Sequence, residues 1–475
     1  MLVDEAKSHL DALGASNRAF TQRYPGDRAH RQPVHTVYGG AHLFRADTTL
    51  RLGELAQKHL AAYASNAFEF ARAVGFVTGD SLARADEAML RSELESDRAA
   101  LRENDPRAWL AFTVYERVLD KLAREPVEDF RIDFEDGFGA RPDTEEDATA
   151  VAAAHEVAKG LAQGSLPPFI GIRIKSLGEE WKRRATSTLE LFVSTLLEQT
   201  NGRLPDNFVV TLPKISVPEQ PATLVRLFEL LEKRHGLAEG TLKLEMMIEI
   251  TQSLLGMSGR SPLPEFLTAC EGRCVAAHFG TYDFTASCNI TAAYQTMAHP
   301  WCDLAKGLML LAYGGTGLFL SDGATNVMPV GPHKSAELTP EQLAENRNVV
   351  HGAWQLAHKH IRHSLATGFY QGWDLHPGQL PVRYATCYAF FLEGFAQAAE
   401  RLRNFIEKAA QATLVGDVFD DAATGQGLLN YFLRARNCGA IDLEDIAQTG
   451  LTAEEFGLRS FAKILEARRA RLGAG

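Results

Sequence analysis

Short runs of apolar and β-branched residues recur along this chain, and each is followed by polar residues or glycine and then by a stretch with helical spacing. This alternation is typical of β–α units and predicts a parallel sheet, because consecutive parallel strands need a crossover between them. Eight such units match the (β/α)₈ TIM barrel in number. We predict strands at 35–41, 130–139, 169–175, 208–214, 242–250, 274–283, 317–324 and 370–379.

Helical spacing outside these units predicts two additions to the barrel. One is an insertion after the first strand, at about 50–125, and the other follows the eighth strand. We therefore divide the chain into a barrel with its insertion at 1–380 and a helical C-terminal extension at 381–475.

The composition narrows the class of protein. The chain has 475 residues, 45% of them hydrophobic and 23% charged, a balance typical of a globular protein with a large core. Its net charge of −11 argues against general binding to nucleic acid or to an anionic membrane. Neither a signal peptide nor a membrane-spanning segment is indicated, and the six cysteines include no C-x-x-C pair. We therefore expect a cytoplasmic protein.

Ionisable residues stand at the carboxyl ends of the predicted strands, which is where TIM barrels carry their active sites. Charges at a barrel rim are costly unless they are paired or bound to metal. Strand alternation puts Asp133 and Glu135 on one face, but it leaves open which acid of strand two points inward. The candidates, in chain order, are Asp133, Glu135, Asp136, Arg173, Lys175, Lys214, Glu249, Asp283 and His376.

Seven segments follow one another along about 35–380: VYGGAHLF, IDFEDGFG, GIRIK, VTLPKI, MIEITQSLLG, HFGTYDF and WDLHPGQ. In this order they resemble the segments of the HpcH/HpaI aldolase and citrate lyase β-subunit superfamily, which is related to malate synthase. The chain is longer than a minimal member, and Lys175 stands where asparagine is usual. The resemblance therefore implies a longer, divergent subfamily.

The resemblance implies a divalent-metal-dependent lyase or aldolase, acting through a metal-bound enolate of a 2-oxo acid or a related carbonyl compound. It implies that Glu249 and Asp283 bind Mg²⁺ or Mn²⁺, hard cations that prefer oxygen ligands. It also implies that Arg173 faces the substrate, since a guanidinium matches a carboxylate or a developing enolate oxygen.

The remaining candidates receive roles around this core. Glu135 and Asp136 are predicted to be catalytic together with Arg173, and Lys214 and His376 are predicted to bind substrate. An imine formed by Lys214 is the less favoured interpretation, because the superfamily relies on metal. His376, which precedes a proline, is equally well explained as a structural hydrogen-bonding group.

Two alternatives to the aldolase remain open. One is a lyase of CoA thioesters, of the citryl-CoA or malyl-CoA kind, so the expected partner is either a 2-oxo acid or an acyl-CoA. The other is a non-catalytic barrel that only binds a metabolite. Because barrels of this superfamily commonly assemble, we also expect a homo-oligomer.

Overall fold

The computed structural model describes residues 2–77, 87–335, 337–415 and 422–473. Within them, eight parallel strands pair in sequence order, and the eighth pairs with the first to close a barrel. The predicted TIM barrel is confirmed. The strands are β1 His35–Gly40, β2 Asp129–Asp133, β3 Phe169–Arg173, β4 Phe208–Leu212, β5 Lys243–Ile248, β6 Cys274–Phe279, β7 Phe319–Ala324 and β8 Gln371–Asp374.

Helices surround this barrel and form both predicted additions. The insertion corresponds to α3–α7, and α16 follows β8 and packs against α7 and α15. Parts of the two predicted additions, at 78–86, 416–421 and 474–475, lie outside the described residues. The helices are α1 Leu2–Glu5, α2 Lys7–Arg23, α3 Thr48–Tyr63, α4 Ala67–Val74, α5 Glu87–Ser96, α6 Arg98–Asn104, α7 Pro106–Arg124, α8 Asp143–Gln163, α9 Lys182–Gln199, α10 Glu219–His235, α11 Thr251–Leu254, α12 Leu263–Ala269, α13 Thr281–Ser287, α14 Pro300–Tyr313, α15 Pro340–Ala366, α16 Leu380–Glu393, α17 Phe395–Val415, α18 Ala422–Asn437, α19 Leu443–Ile446, α20 Ala453–Gly457 and α21 Phe461–Gly473.

Most predicted strands were too long at their carboxyl ends, and the second, sixth and eighth were too long by four residues or more; the eighth was predicted to reach residue 379, but β8 ends at Asp374. The second was predicted to reach residue 139, but β2 ends at Asp133. The sixth was predicted to reach Asp283, but β6 ends at Phe279 and α13 begins at Thr281. Asp283 is therefore a helical residue in the first turn of α13, above the barrel rim.

The inside of the barrel is polar. Arg131 of β2 donates two hydrogen bonds to Glu245 of β5, both at 2.7 Å, and it also pairs with Asp129. His278 lies 3.1 Å from the same carboxylate. Because β2 and β5 are not neighbours in the sheet, the Arg131–Glu245 pair spans the interior. This buried network forms a floor beneath the residues at the carboxyl end.

No helix of the described residues combines the length and the apolar character needed to cross a membrane.

Candidate active site

Arg173 is the last residue of β3 and lies beside Asp133, the last residue of β2. Its Nε and Nη2 donate to Asp133 Oδ1 and Oδ2 at 2.7 and 2.6 Å. Asp133 also accepts the backbone N–H groups of Glu135 and Gly137. Burial works to raise the pKa of Asp133, but the guanidinium and these N–H groups outweigh it, so the pKa is lowered. Asp133 therefore stays ionised and fixes the plane of the guanidinium.

The turn after β2 brings two more acids to Arg173. Its Nη1 lies 3.1 Å from Glu135 Oε2 and 3.5 Å from Asp136 Oδ2. Glu135 is nearly buried, whereas the side chain of Asp136 is 57% exposed. Burial raises the pKa of Glu135, and although Arg173 and Lys214 oppose this effect, the pKa remains raised. Both Asp133 and Glu135 therefore point into the mouth of the barrel, the opening at the carboxyl ends of its strands. The sequence pattern had left the direction of these two side chains open.

Lys214 follows β4 and lies among the acids. Its backbone is left-handed, with φ of 51°, and its N–H donates to Glu249 Oε1 at 2.8 Å. Its Nζ donates to Glu135 Oε1 at 2.6 Å and lies 3.4 Å from Asp136 and 3.6 Å from Asp283. Burial acts to lower the pKa of Lys214, but the surrounding carboxylates raise it well above its ordinary value. The amine is therefore an ammonium at neutral pH.

Glu249 follows β5 and is 1% exposed. Burial raises its pKa to about 8; Lys214 opposes this shift, and Glu135 and Asp283 reinforce it. The chain after β6 passes very close to this carboxylate, because a Cβ on Gly280 would lie 2.5 Å from Glu249 Oε2. Glycine at this position therefore makes room for the glutamate.

The mouth has more negative than positive charge. Five carboxylates surround two cations, an excess of three negative charges at full ionisation: Asp133, Glu135, Asp136, Glu249 and Asp283, with Arg173 and Lys214. In addition, Glu135 Oε2 is buried and accepts no hydrogen bond within the described residues. Both features fit a hard divalent cation, which binds oxygen.

A complete cage of protein ligands is not found. Among the described residues, no group of three or more His, Cys, Asp and Glu side chains is placed to hold a metal ion. Mg²⁺ commonly uses only one or two carboxylates and keeps water or substrate oxygens as its other ligands. Glu249, which accepts the Lys214 N–H, and Asp283, which lies 3.6 Å from Lys214 Nζ, are the pair available for such a site.

Two other candidates lie apart from the cluster. Lys175 Nζ donates to the Phe134 carbonyl and to Glu146 of α8, both at 2.7 Å. His376 Nδ1 accepts the N–H of Gly378 at 3.0 Å and caps the turn after β8. Within the part of the chain that the structure describes, no hydrogen bond or ion pair joins His376 to Arg173 or Lys214.

Sequence reasoning missed one residue that contacts the cluster. The centre of the Tyr38 ring lies 4.9 Å from Arg173 Cζ and 4.5 Å from the centre of the Trp373 ring, which is tilted by 39° to it. Its hydroxyl is buried and has no hydrogen-bond partner among the described residues. The alternation of side chains along β1 could have indicated that Tyr38 points into the barrel. It places Tyr38 on the same face as Thr36, which donates a hydrogen bond to Asp129 inside the barrel.

Residues 13–464 match the family model described as "Domain of unknown function (DUF6986)". Among curated proteins, none matches the chain.

Solved structures of the predicted superfamily are similar to this chain at low identity. The Haloferax volcanii malate synthase lead(II) complex is 15% identical, with a TM-score of 0.41; the match covers 55% of this chain and 64% of the synthase. Mycobacterium tuberculosis CitE with magnesium, acetoacetate and coenzyme A is 17% identical, with a TM-score of 0.40, and the match covers 69% of this chain and 95% of CitE. An HpcH/HpaI aldolase/citrate lyase family protein from Burkholderia cenocepacia is 12% identical, with a TM-score of 0.32, and the match covers 62% of this chain and 90% of that protein.

Proposed function

This chain belongs to the DUF6986 family, and we propose that it is a divalent-metal-dependent carbon–carbon lyase or aldolase acting on a 2-oxo acid or a related carbonyl compound. The observation that carries this proposal is the excess of carboxylates beside one fixed guanidinium at the carboxyl end of the barrel. The acids suit a cation, and the guanidinium suits an anionic substrate.

Arg173 binds and orients the substrate. Asp133 occupies its Nε and Nη2, so Nη1 is the donor that faces the acids of the mouth. A substrate carboxylate or enolate oxygen accepts hydrogen bonds from Arg173 Nη1 and from Lys214 Nζ. Because Asp133 holds the guanidinium before substrate arrives, little reorganisation is needed when negative charge develops.

Glu249 and Asp283 would hold Mg²⁺ or Mn²⁺, which when bound supplies Lewis-acid polarisation of the substrate carbonyl. The charge that this requires is available only when Glu249 is ionised. Because the pKa of Glu249 is raised to about 8, a proton would compete with the cation for this carboxylate at neutral pH.

Glu135 moves the proton. Its buried Oε2 accepts no hydrogen bond within the described chain, and its raised pKa suits a general base. In the cleavage direction, Glu135 takes the proton of the substrate hydroxyl, the C–O bond becomes a carbonyl, and the neighbouring C–C bond breaks. The electron pair forms an enolate, whose oxygen Arg173 and Lys214 stabilise. Protonated Glu135 then returns its proton to the enolate carbon.

The test combines binding and turnover. Chelator-stripped protein is titrated with Mg²⁺ and Mn²⁺ by calorimetry, and a panel of 2-oxo acids, hydroxy acids and their CoA thioesters is screened for cleavage by mass spectrometry. We expect cation-dependent release of a 2-oxo acid or an acyl-CoA, with cation binding lost in Asp283→Asn and turnover lost in Arg173→Lys.

The matched control is Glu198→Gln, which removes one exposed carboxylate from α9. It should bind and turn over like the wild type. Equal cation binding by Asp283→Asn and wild type would rule out the assigned site. A covalent adduct after borohydride treatment would replace the metal route with an imine on Lys214.

A further inference from the structure

A charged cavity lies at the end of the barrel opposite to the proposed active site. It has a volume of about 530 Å³, within the range of small-molecule sites. The segment before β1, α7, α18 and the residue Arg459 line it. Glu128 lines it and directly precedes β2, whereas Asp133 ends that strand. The length of the strand places this cavity roughly 15 Å from the mouth.

This basic cavity is positively charged although the chain as a whole carries −11. Six cationic side chains and three acidic ones line it. The cations are Arg31, Arg117, Lys121, Arg124, Arg436 and Arg459.

Internal ion pairs neutralise only half of these cations. Glu125 and Glu128 each contact both Arg31 and Lys121 at 2.5–2.6 Å, which gives a neutral group of four. Arg124 pairs with Asp120 along α7. All three acids are used in these pairs, so three arginines remain.

Of the three remaining arginines, only Arg117 has a carboxylate within 4 Å among the described residues. Arg117 donates to the Gly439 carbonyl and lies 3.9 Å from Asp445. Arg459 donates to the Arg28 carbonyl at 3.2 Å, and the side chain of Arg436 makes no hydrogen bond or ion pair with any residue that the structure describes. Burial lowers the pKa of Arg459, as expected for a guanidinium whose charge is poorly compensated.

The backbone of Arg459 supports a role beyond helix termination. It follows α20 with a φ of 54°, in the left-handed conformation that glycine adopts most easily at such a position. The chain nevertheless has an arginine here, and its side chain reaches the wall of the cavity.

We propose that the basic cavity binds a small anion with at least two negative charges on oxygen, either a phosphate ester or a polycarboxylate. Arg436 and Arg459 bind it directly, and Arg117 turns from Asp445 towards it. This site is separate from the proposed active site, and it joins the C-terminal helices to the segment before β1.

The experiment uses the full chain, stripped of divalent cations with a chelator that is then removed by gel filtration, so that neither a cation nor the chelator is present. Pyrophosphate and citrate are titrated by calorimetry at constant ionic strength, with sodium chloride as the reference. Arg459→Gly removes the guanidinium and introduces the residue that adopts this backbone conformation most easily. Arg436→Gln removes an exposed guanidinium that has no ion-pair partner among the described residues. Arg401→Gln, an exposed arginine of α17 that does not line the cavity, is the matched control.

We expect wild type and Arg401→Gln to bind pyrophosphate or citrate with equal affinity, and each cavity variant to bind at least tenfold more weakly with an undiminished unfolding temperature. Stronger binding of pyrophosphate than of citrate identifies a phosphate ligand, and the reverse order identifies a polycarboxylate. Wild-type affinity in Arg459→Gly and Arg436→Gln, or no binding of either anion above the chloride reference, would overturn the proposal.

Discussion

Glu249 shows how a single buried side chain can make a site sensitive to pH. It is enclosed by β5 and Gly280, and its Oε1 already accepts the N–H of Lys214. Burial and the neighbouring acids favour its neutral form, which gives the raised pKa of about 8. At the metal site that we propose, a proton and a divalent cation would therefore compete for this carboxylate.

We predict that the affinity for Mg²⁺ depends on pH through this competition. Between pH 6 and 8 the dissociation constant should fall about tenfold per pH unit, because each binding event releases one proton, and it should level off above the pKa. Calorimetry in buffers of different ionisation enthalpy measures the proton release. Glu249→Gln should bind weakly with no pH dependence, and a pH-independent wild type would contradict the assignment.

In the mechanism that we propose, Asp133 acts through Arg173 and not on the substrate. We predict that Asp133→Asn lowers kcat about 10- to 100-fold with a smaller change in KM, because the amide turns a donor towards the guanidinium and loosens its alignment. Steady-state kinetics and Mg²⁺ calorimetry together check this, since the affinity for the cation should not change. A rise in KM alone would show that Arg173 contributes only ground-state binding.

The sequence predicts the positions of the strands better than it predicts their ends or the backbone conformation of the loops that follow them. Short apolar or β-branched runs predicted the positions of the eight strands, although buried polar residues interrupt several of them and β8 has the sequence QGWD. The end of β2 was mispredicted because the Asp133 side chain accepts two backbone N–H groups and converts FEDG into a turn. The left-handed backbone of Lys214 also has no local signal, since it depends on contacts with Glu249 from another strand. The candidate residues were therefore predictable, but their contacts were not.

The loop between β6 and α13 allows a test at the scale of an element. We predict that Gly280→Ala weakens Mg²⁺ binding at least tenfold, because the new methyl group would lie 2.5 Å from the Glu249 carboxylate and displace it. The φ of −93° at Gly280 is open to alanine, so the chain should still fold. Gly307→Ala, in α14 where an added Cβ meets nothing within 4 Å, is the matched control and should bind normally. Normal cation binding by Gly280→Ala would show that Glu249 is not a ligand.

At the scale of the whole molecule, polar contacts join parts that are distant in sequence. Asn437 exchanges two hydrogen bonds with the backbone of Gln32, and Arg434 pairs with Asp27. These contacts attach the C-terminal helices to the segment before β1. Inside the barrel, Arg131 and Glu245 connect opposite walls. The floor of the mouth therefore depends on a buried ion pair whose loss affects the entire barrel.

We predict that Glu245→Gln destabilises the whole fold by about 3 kcal/mol at pH 7, because it removes one of the two buried carboxylates that pair with Arg131. Burial acts to raise the pKa of Glu245, but Arg131 and His278 lower it well below its ordinary value of 4.5. Its ionisation therefore stabilises the fold above that value, and this contribution is lost as the pH falls towards the lowered pKa. Urea unfolding of wild type and variant at pH 7 and at pH 3.5 should show a difference that shrinks on acidification, whereas Glu198→Gln should unfold like the wild type. Equal stability of Glu245→Gln and wild type at pH 7 would mean that Asp129 alone compensates Arg131.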